Sequence, residues 1–266
     1  MIAALARRLP EPVFRALAPR SHCIAALHRI AAGDSELDYP PAKFAELCRY
    51  WRDHYETLTL DCLLARLAHG HVATQPALVI TFDDGYADNA ETAADILDRY
   101  GLNATFFIPT GAMGGENRFP WDKGQIPRPR LMTWQQVGAL HAAGFGIGSH
   151  TVTHTRLSAV RGGDLAVELS ASRARLEAEL GEPVLDFAYP FGGPGDCDFT
   201  ARTAVRAAGY RCCLSCHGGL VAPGDSPWRL HRIAVSPRWH ANPRAWTRAC
   251  ARLRWHRAPL PVAAHW

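Results

Sequence analysis

Two adjacent carboxylates, Asp83 and Asp84, end an apolar run in the stretch TFDDGYADN, and a glycine follows at once. Like charges side by side repel and raise one pKa unless a cation offsets them. Roughly 65 residues later the stretch SHTVTH sets His150 and His154 four positions apart, a spacing that on one turn of helix puts both imidazoles on the same face. Two imidazoles and one carboxylate from a distant loop form a divalent-metal set with positions left open for water or substrate. The doublet then divides its labour. One aspartate binds the metal, the other stays free as a base, and the cation relieves the repulsion between them. Taken singly, an Asp pair caps a helix and a His pair is a surface coincidence. Two such motifs at the ends of two strands of one fold converge on a single mouth.

Those strand ends come from the hydrophobic pattern. Apolar runs alternate with helix-period segments almost throughout, which predicts a mainly parallel sheet with crossover helices. Strands are expected at 22–30, 77–82, 104–109, 145–149, 186–189, 210–214 and 228–235, and helices at 41–54, 61–67, 87–100, 133–143, 164–180 and 199–208. Asp61 and Thr133 are the expected caps of two of the helices, and a long Gly/Pro loop spans 110–130. About seven strands and six helices suggest an α/β fold, a distorted (β/α) barrel in which reacting groups gather where strands end. One domain is expected over 20–240. It is preceded by an amphipathic segment (1–19, with Val13, Phe14, Leu17 and Ala18 on one face) and followed by a basic, Trp-rich tail (241–266) that packs loosely or is disordered.

Composition is that of a globular chain, with 48% hydrophobic and 20% charged residues. A net charge of +4, concentrated at the two ends, argues against nucleic-acid binding and is compatible with contact to an anionic membrane surface. The eight cysteines lack the spacing of a disulfide framework, so they read as reduced and favour the cytoplasm, with peripheral contact at the inner membrane face. CCLSCH (Cys212, Cys213, Cys216, His217) mimics a zinc spacing but lies in an apolar strand, where buried thiols are the better reading. GGPGD at 192–196 lacks the register and lysine of a phosphate loop and reads as a turn. Trp228, Trp239, Trp246, Trp255 and Trp266 are read mainly as packing residues that could also stack on sugar rings.

TFDDGYADN, SHTVTH and FAYPFG, in that order, resemble the three main motifs of the polysaccharide deacetylases of carbohydrate esterase family four. LHRI at 27–30, YGLNATFFIPTG, MTWQQVGALHAAGFGIGSHT and RLHRIAV resemble the branch that handles exopolysaccharide-type N-acetyl sugars. The resemblance covers most of the chain and implies a barrel with fewer than eight strands. It implies a metal-dependent de-N-acetylase with Asp83 as general base and Asp84, His150 and His154 as ligands, zinc being the default ion. It implies that the backbone N–H of Tyr189 helps hold the oxyanion and that Pro190 and Phe191 shape the sugar pocket. The chain departs from the family in two places. The late acid-histidine motif reads WRLHRIAV, so His28 on the first strand is expected to be the general acid, with His231 as the lesser candidate. Ala188 stands where many relatives carry arginine, so Arg232 is expected to orient the base and is counted with the substrate-binding residues. The implied substrate is an N-acetylated sugar that is polymeric, lipid-linked or nucleotide-linked. The rival readings are a catalytically silent glycan-binding member and a hydrolase of a non-sugar amide such as a formamide or cyclic imide.

Overall fold

The computed structural model describes residues 22–70, 77–238 and 240–255. Its centre is a curled parallel sheet of strands β1 (Cys23–Leu27), β3 (Ala77–Phe82), β4 (Thr105–Ile108), β5 (Gly146–Ser149), β6 (Asp186–Ala188), β7 (Cys212–Leu214) and β8 (Ile233–Ala234). Their spatial order is β7-β6-β5-β4-β3-β1-β8, and a two-residue strand β2 (Glu56–Thr57) pairs with β3 off that path. Register is continuous across the centre, Cys23 facing Leu78 through to Leu27 facing Phe82. All five residues of β1 and all six of β3 are buried, as expected for strands covered on both faces. Leu230 bridges to Leu214 while Ala25 pairs with Ile233, so the segment between them spans the gap from β7 to β1 and carries Arg232 inward. The fold is an α/β half-barrel, in agreement with the strand count read from the sequence.

The helices are set by their apolar faces and caps. Helix α1 (Pro41–His54) starts with proline at its first position and buries Phe44, Leu47, Cys48 and Trp51. Helix α2 (Leu60–Ala68) is capped by Thr59, whose Oγ1 accepts from the Cys62 N–H. Asp61, the expected cap, instead lies in the first turn, where a carboxylate complements the helix dipole. The expected helix at 87–100 splits into a wide π turn (Asn89–Ala93) and α3 (Ala94–Arg99). Asn89 is buried there with its amide donating to the His28 carbonyl, a tie that the widened turn accommodates beside the site. Helix α4 (Trp134–Ala142) carries a full capping box between Thr133 and Gln136. Helices α5 (Gly162–Leu180) and α6 (Phe199–Ala207) follow, the latter capped by Asp198.

Two expectations give way at the C-terminal end. The stretch 228–235 is a short 3₁₀ turn (Pro227–Arg229) followed by the two-residue β8. Pro227 fixes the turn, and Ser226 caps it by accepting from the Trp228 N–H. The tail expected to pack loosely forms helix α7 (Pro243–Trp255). Trp246 is fully buried against Trp51, with ring centroids 5.3 Å apart, and its indole N–H donates to the Tyr55 hydroxyl. The Cys250 and Cys23 sulfurs lie 3.7 Å apart, and no disulfide joins any of the eight cysteines. Segment 1–19, Trp239 and Trp266 lie outside the described residues, as does the side chain of Trp255. Among the described residues no helix is long and apolar enough to cross a membrane.

Candidate metal centre and catalytic pocket

Asp83 and Asp84 leave the C-terminal end of β3 in different backbone conformations. Asp83 stays in register, its N–H donating to the Leu27 carbonyl, whereas Asp84 turns into the left-handed region at φ 70°. Gly85 continues the turn at φ 66°, a left-handed conformation that glycine adopts without strain, and a Cβ there would press on the flexible end of Met113. Four non-glycine residues have positive φ among the described residues, Asp84, Thr151, His154 and Phe191, and all belong to the loops of this one site. Left-handed backbone at β-branched or bulky residues is strained by about 1–3 kcal/mol each, and such strain gathers where function over-determines the geometry.

The two histidines do not share a helical turn. Residues 150–154 form an irregular loop after β5, and the left-handed Thr151 and His154 turn it so that the imidazole centroids stand 4.9 Å apart. Glu168 on α5 pins this loop by accepting from the N–H groups of Val152 and Thr153 and from the Thr153 hydroxyl. That brace was not visible in the sequence. It comes from the middle of a long amphipathic helix, where a glutamate reads as solvated surface.

One ligand atom from each of Asp84, His150 and His154 falls within 4.8 Å of the others, and all three residues are buried. His150 Nδ1–H donates to the Ala188 carbonyl at 2.8 Å, which leaves the Nε2 lone pair of the neutral ring aimed at Asp84 Oδ1, 3.5 Å away. His154 Nε2 approaches the same oxygen at 3.0 Å. Asp84 Oδ1 is buried without a well-formed hydrogen bond. A carboxylate oxygen facing an imidazole lone pair in a buried site is the arrangement that a divalent cation resolves, so the donor set fits a metal. Burial alone would raise the pKa of Asp84; in the absence of a cation, protonated His154 and His150 would outweigh it and hold the carboxyl well below the ordinary range.

Asp83 is held differently. The Arg232 guanidinium donates from Nη1 and Nη2 to its two oxygens at 2.7 Å each. Arg232 is itself fully buried and spends its other donors on the Ser215 carbonyl and the Thr81 hydroxyl. Burial pushes the Asp83 pKa up, and the charge of Arg232 with its two hydrogen bonds offsets it, so the carboxyl titrates below its usual value. The expectation that Arg232 orients the base agrees with this contact. Its place among the substrate-binding residues does not, because it lies behind Asp83 and does not line the pocket.

The pocket itself is lined by His28, Asp83, Asp84, His150, His154 and Phe191, together with Leu37, Trp121 and Cys216. His28 is half-buried; its pKa is lowered by burial, with Asp84 and Asp83 pulling the other way. His231 lines a neighbouring cavity instead. The Tyr189 N–H is not available as an oxyanion donor, since it already donates to the Leu214 carbonyl at 3.0 Å in the sheet. Pro190 is buried in the turn, where its carbonyl accepts from Gly192 at 2.6 Å, and it does not line the pocket. Phe191 does line it, and its backbone N–H makes no hydrogen bond among the described residues. Gly192 at φ 63° allows the turn to approach Cys216, whose N–H donates to the Gly192 carbonyl; a Cβ there would lie 2.5 Å from that nitrogen.

Sequence reasoning missed Leu37, Trp121 and Cys216. Trp121 sits in the 110–130 loop, stacked on Phe119 at 4.7 Å and 5.1 Å from the His154 ring. Its indole N–H donates to the Tyr86 hydroxyl, which in turn donates to the buried Asp122. The signal was the aromatic pair in an otherwise Gly/Pro-rich loop, FPW at 119–121.

Comparison with known proteins gives a consistent result. A family model for polysaccharide deacetylase matches residues 71–213. The curated Bacillus subtilis (strain 168) protein YxkH, whose name assigns it provisionally to the polysaccharide deacetylases, is 26% identical over 211 residues, covering 79% of this chain and 70% of that one. Among solved structures, the Streptococcus pyogenes deacetylase PplD in complex with acetate superposes with a TM-score of 0.74 at 20% identity, over 87% of this chain and 99% of that one. IcaB from Ammonifex degensii gives 0.75 at 22% identity, over 87% and 98%. With more than half its length matched and its acidic and histidine motifs at the expected strand ends, the chain belongs to the polysaccharide deacetylase family, carbohydrate esterase family four.

Proposed function

We propose that the protein is a metal-dependent hydrolase that removes the N-acetyl group of an amino sugar in a glycan or a glycan precursor. The observation that carries this reading is the division of labour between neighbours, with Asp84 grouped with His150 and His154 and Asp83 held apart by Arg232. The pocket beside them has a volume of about 30 Å³.

Asp84, His150 and His154 would hold the cation, and two imidazoles with one carboxylate favour zinc among the ions that fit. When bound, a divalent cation supplies Lewis-acid polarisation of the amide carbonyl and lowers the pKa of water. Asp83, kept ionised by Arg232, takes the proton of the attacking water. The Phe191 N–H takes over the role expected of Tyr189 and donates to the oxygen on which negative charge develops. His28, which lines the same pocket as the carboxylates, delivers a proton to the amine nitrogen as acetate leaves. Trp121 and Phe191 exclude water and give the sugar apolar surface.

Hydrolysis of a substrate panel tests the reading, followed as acetate release from N-acetylated amino sugars and oligosaccharides, formate release from formamides and ring opening of cyclic imides. Turnover confined to the amino sugars is expected. Turnover of non-sugar amides alone, or none on any substrate by metal-loaded protein, would overturn it.

A further inference from the structure

A second cavity, of about 230 Å³, opens on the other side of the catalytic turn. The chain after β7 serves both: Cys216 lines the catalytic pocket, and its neighbours Ser215 and His217 line the second cavity. His217 Nδ1–H donates to the carbonyl of Gly192, the residue after Phe191, so the two spaces are separated by a single turn of chain.

The second cavity is basic and aromatic. Arg202, Arg229, His231 and Trp228 line it. Arg206 stands over the Trp228 ring at 5.8 Å. None of the three arginines has a carboxylate within ion-pair distance among the described residues. The nearby acids are engaged elsewhere: Asp196 pairs with Arg156, Asp198 caps α6, and Asp225 accepts from the Ala222 N–H. Arg202 and Arg206 are also four residues apart on α6, a like-charge spacing that costs helix stability. Burial, with His217 and Arg229 close by, keeps the His231 imidazole below its usual pKa against the pull of Asp225, so it serves as a neutral hydrogen-bonding group. The groups facing solvent thus combine an indole, two guanidiniums and two imidazoles, the chemistry that holds a sugar ring and an acidic substituent on it.

We infer that this cavity is a subsite for a saccharide unit bearing a carboxylate or a phosphate ester, with Trp228 against the ring and Arg202 and Arg229 on the anion. The inference rests on the reading of the adjacent pocket as an amino-sugar deacylase. It adds that the substrate is anionic next to the unit that is deacetylated. A uronate within a polymer and the phosphate of a carrier-linked sugar share the chemistry.

The test is equilibrium binding by titration calorimetry, with glucuronate, glucose 1-phosphate and glucose as probes, on the full chain and on R229Q and R202Q/R229Q. Glucuronate or glucose 1-phosphate is expected to bind at least ~10-fold more tightly than glucose, with that preference weakened by salt and lost in the double variant. Preference for glucuronate assigns a uronate-containing polymer; preference for glucose 1-phosphate assigns a phosphate-linked sugar. Arg229 is exposed, so R229Q reports on the anion even if the double variant folds poorly. Equal binding of all three probes, or an anion preference unchanged in R229Q and in the double variant, would overturn the subsite. Failure of the deacylase reading looks different: anion preference stays intact while no N-acetylated sugar releases acetate.

Discussion

Arg232 and Asp83, 149 residues apart in the chain, meet in a two-pronged buried ion pair with both contacts at 2.7 Å. Arg232 comes from the segment that joins β7 to β8, not from β6, the strand that carries Ala188. The pair fixes both the charge and the orientation of Asp83. Because every guanidinium nitrogen has an acceptor, the pair satisfies the condition under which a buried ion pair is tolerated.

Removing one partner leaves the other charge buried and alone. R232A should destabilise the fold by about 3–5 kcal/mol in urea denaturation. R232K keeps a charge but cannot hold both oxygens, and should lower kcat by roughly 10- to 100-fold with metal content unchanged. Full activity in R232K would show that two-point orientation of Asp83 is dispensable.

In the proposed mechanism His28, which lines the pocket, protonates the leaving nitrogen, whereas His231 lines the other cavity. H28A should lower kcat at least ~100-fold while metal content stays at the wild-type level. An unchanged rate would hand the proton transfer to solvent.

Local signals made the paired carboxylates and histidines of the candidate site legible in the sequence. An apolar run followed by Asp-Asp-Gly and a second run followed by Ser-His already state that two strands end in polar loops at one edge. What escaped depends on long-range contact. That Tyr189 spends its N–H on Leu214 follows from the pairing of β6 with β7, which no local pattern encodes. The left-handed turns at Thr151 and His154 were read as a helical spacing because four-residue periodicity does not distinguish a helix from a braced loop. The brace, Glu168, lies 15 residues beyond Thr153. The last helix was hidden by its arginines, although Trp246 and Cys250 four residues apart carried its buried face.

That helix contributes to stability. Trp246 packs on Trp51 and donates to Tyr55, so W246A should cost about 3–5 kcal/mol in chemical denaturation. A change below about 1 kcal/mol would mean that α7 is not part of the cooperative unit.

His240 gives the fold an acid sensitivity. It is buried beside Trp246, and burial lowers its pKa from 6.5 to about 4. The unfolded chain binds this proton first as pH falls. The contribution is therefore fully present above about pH 6.5 and lost as pH drops towards 4, by up to ~3 kcal/mol. Urea midpoints measured from pH 7.5 to 4 should fall less steeply in H240Q than in wild type, and parallel curves would contradict the assignment.

The central claim is that Asp84, His150 and His154 hold a metal from which Asp83 stands apart. Metal content per chain, measured on purified wild-type, D83N, D84N and H150A protein after equilibration with zinc, tests it most directly. Wild type and D83N should each hold one ion, D84N and H150A close to none, with turnover lost in all three variants. A wild-type protein that binds no divalent ion, or D84N and H150A that bind it as well as wild type, would contradict the account.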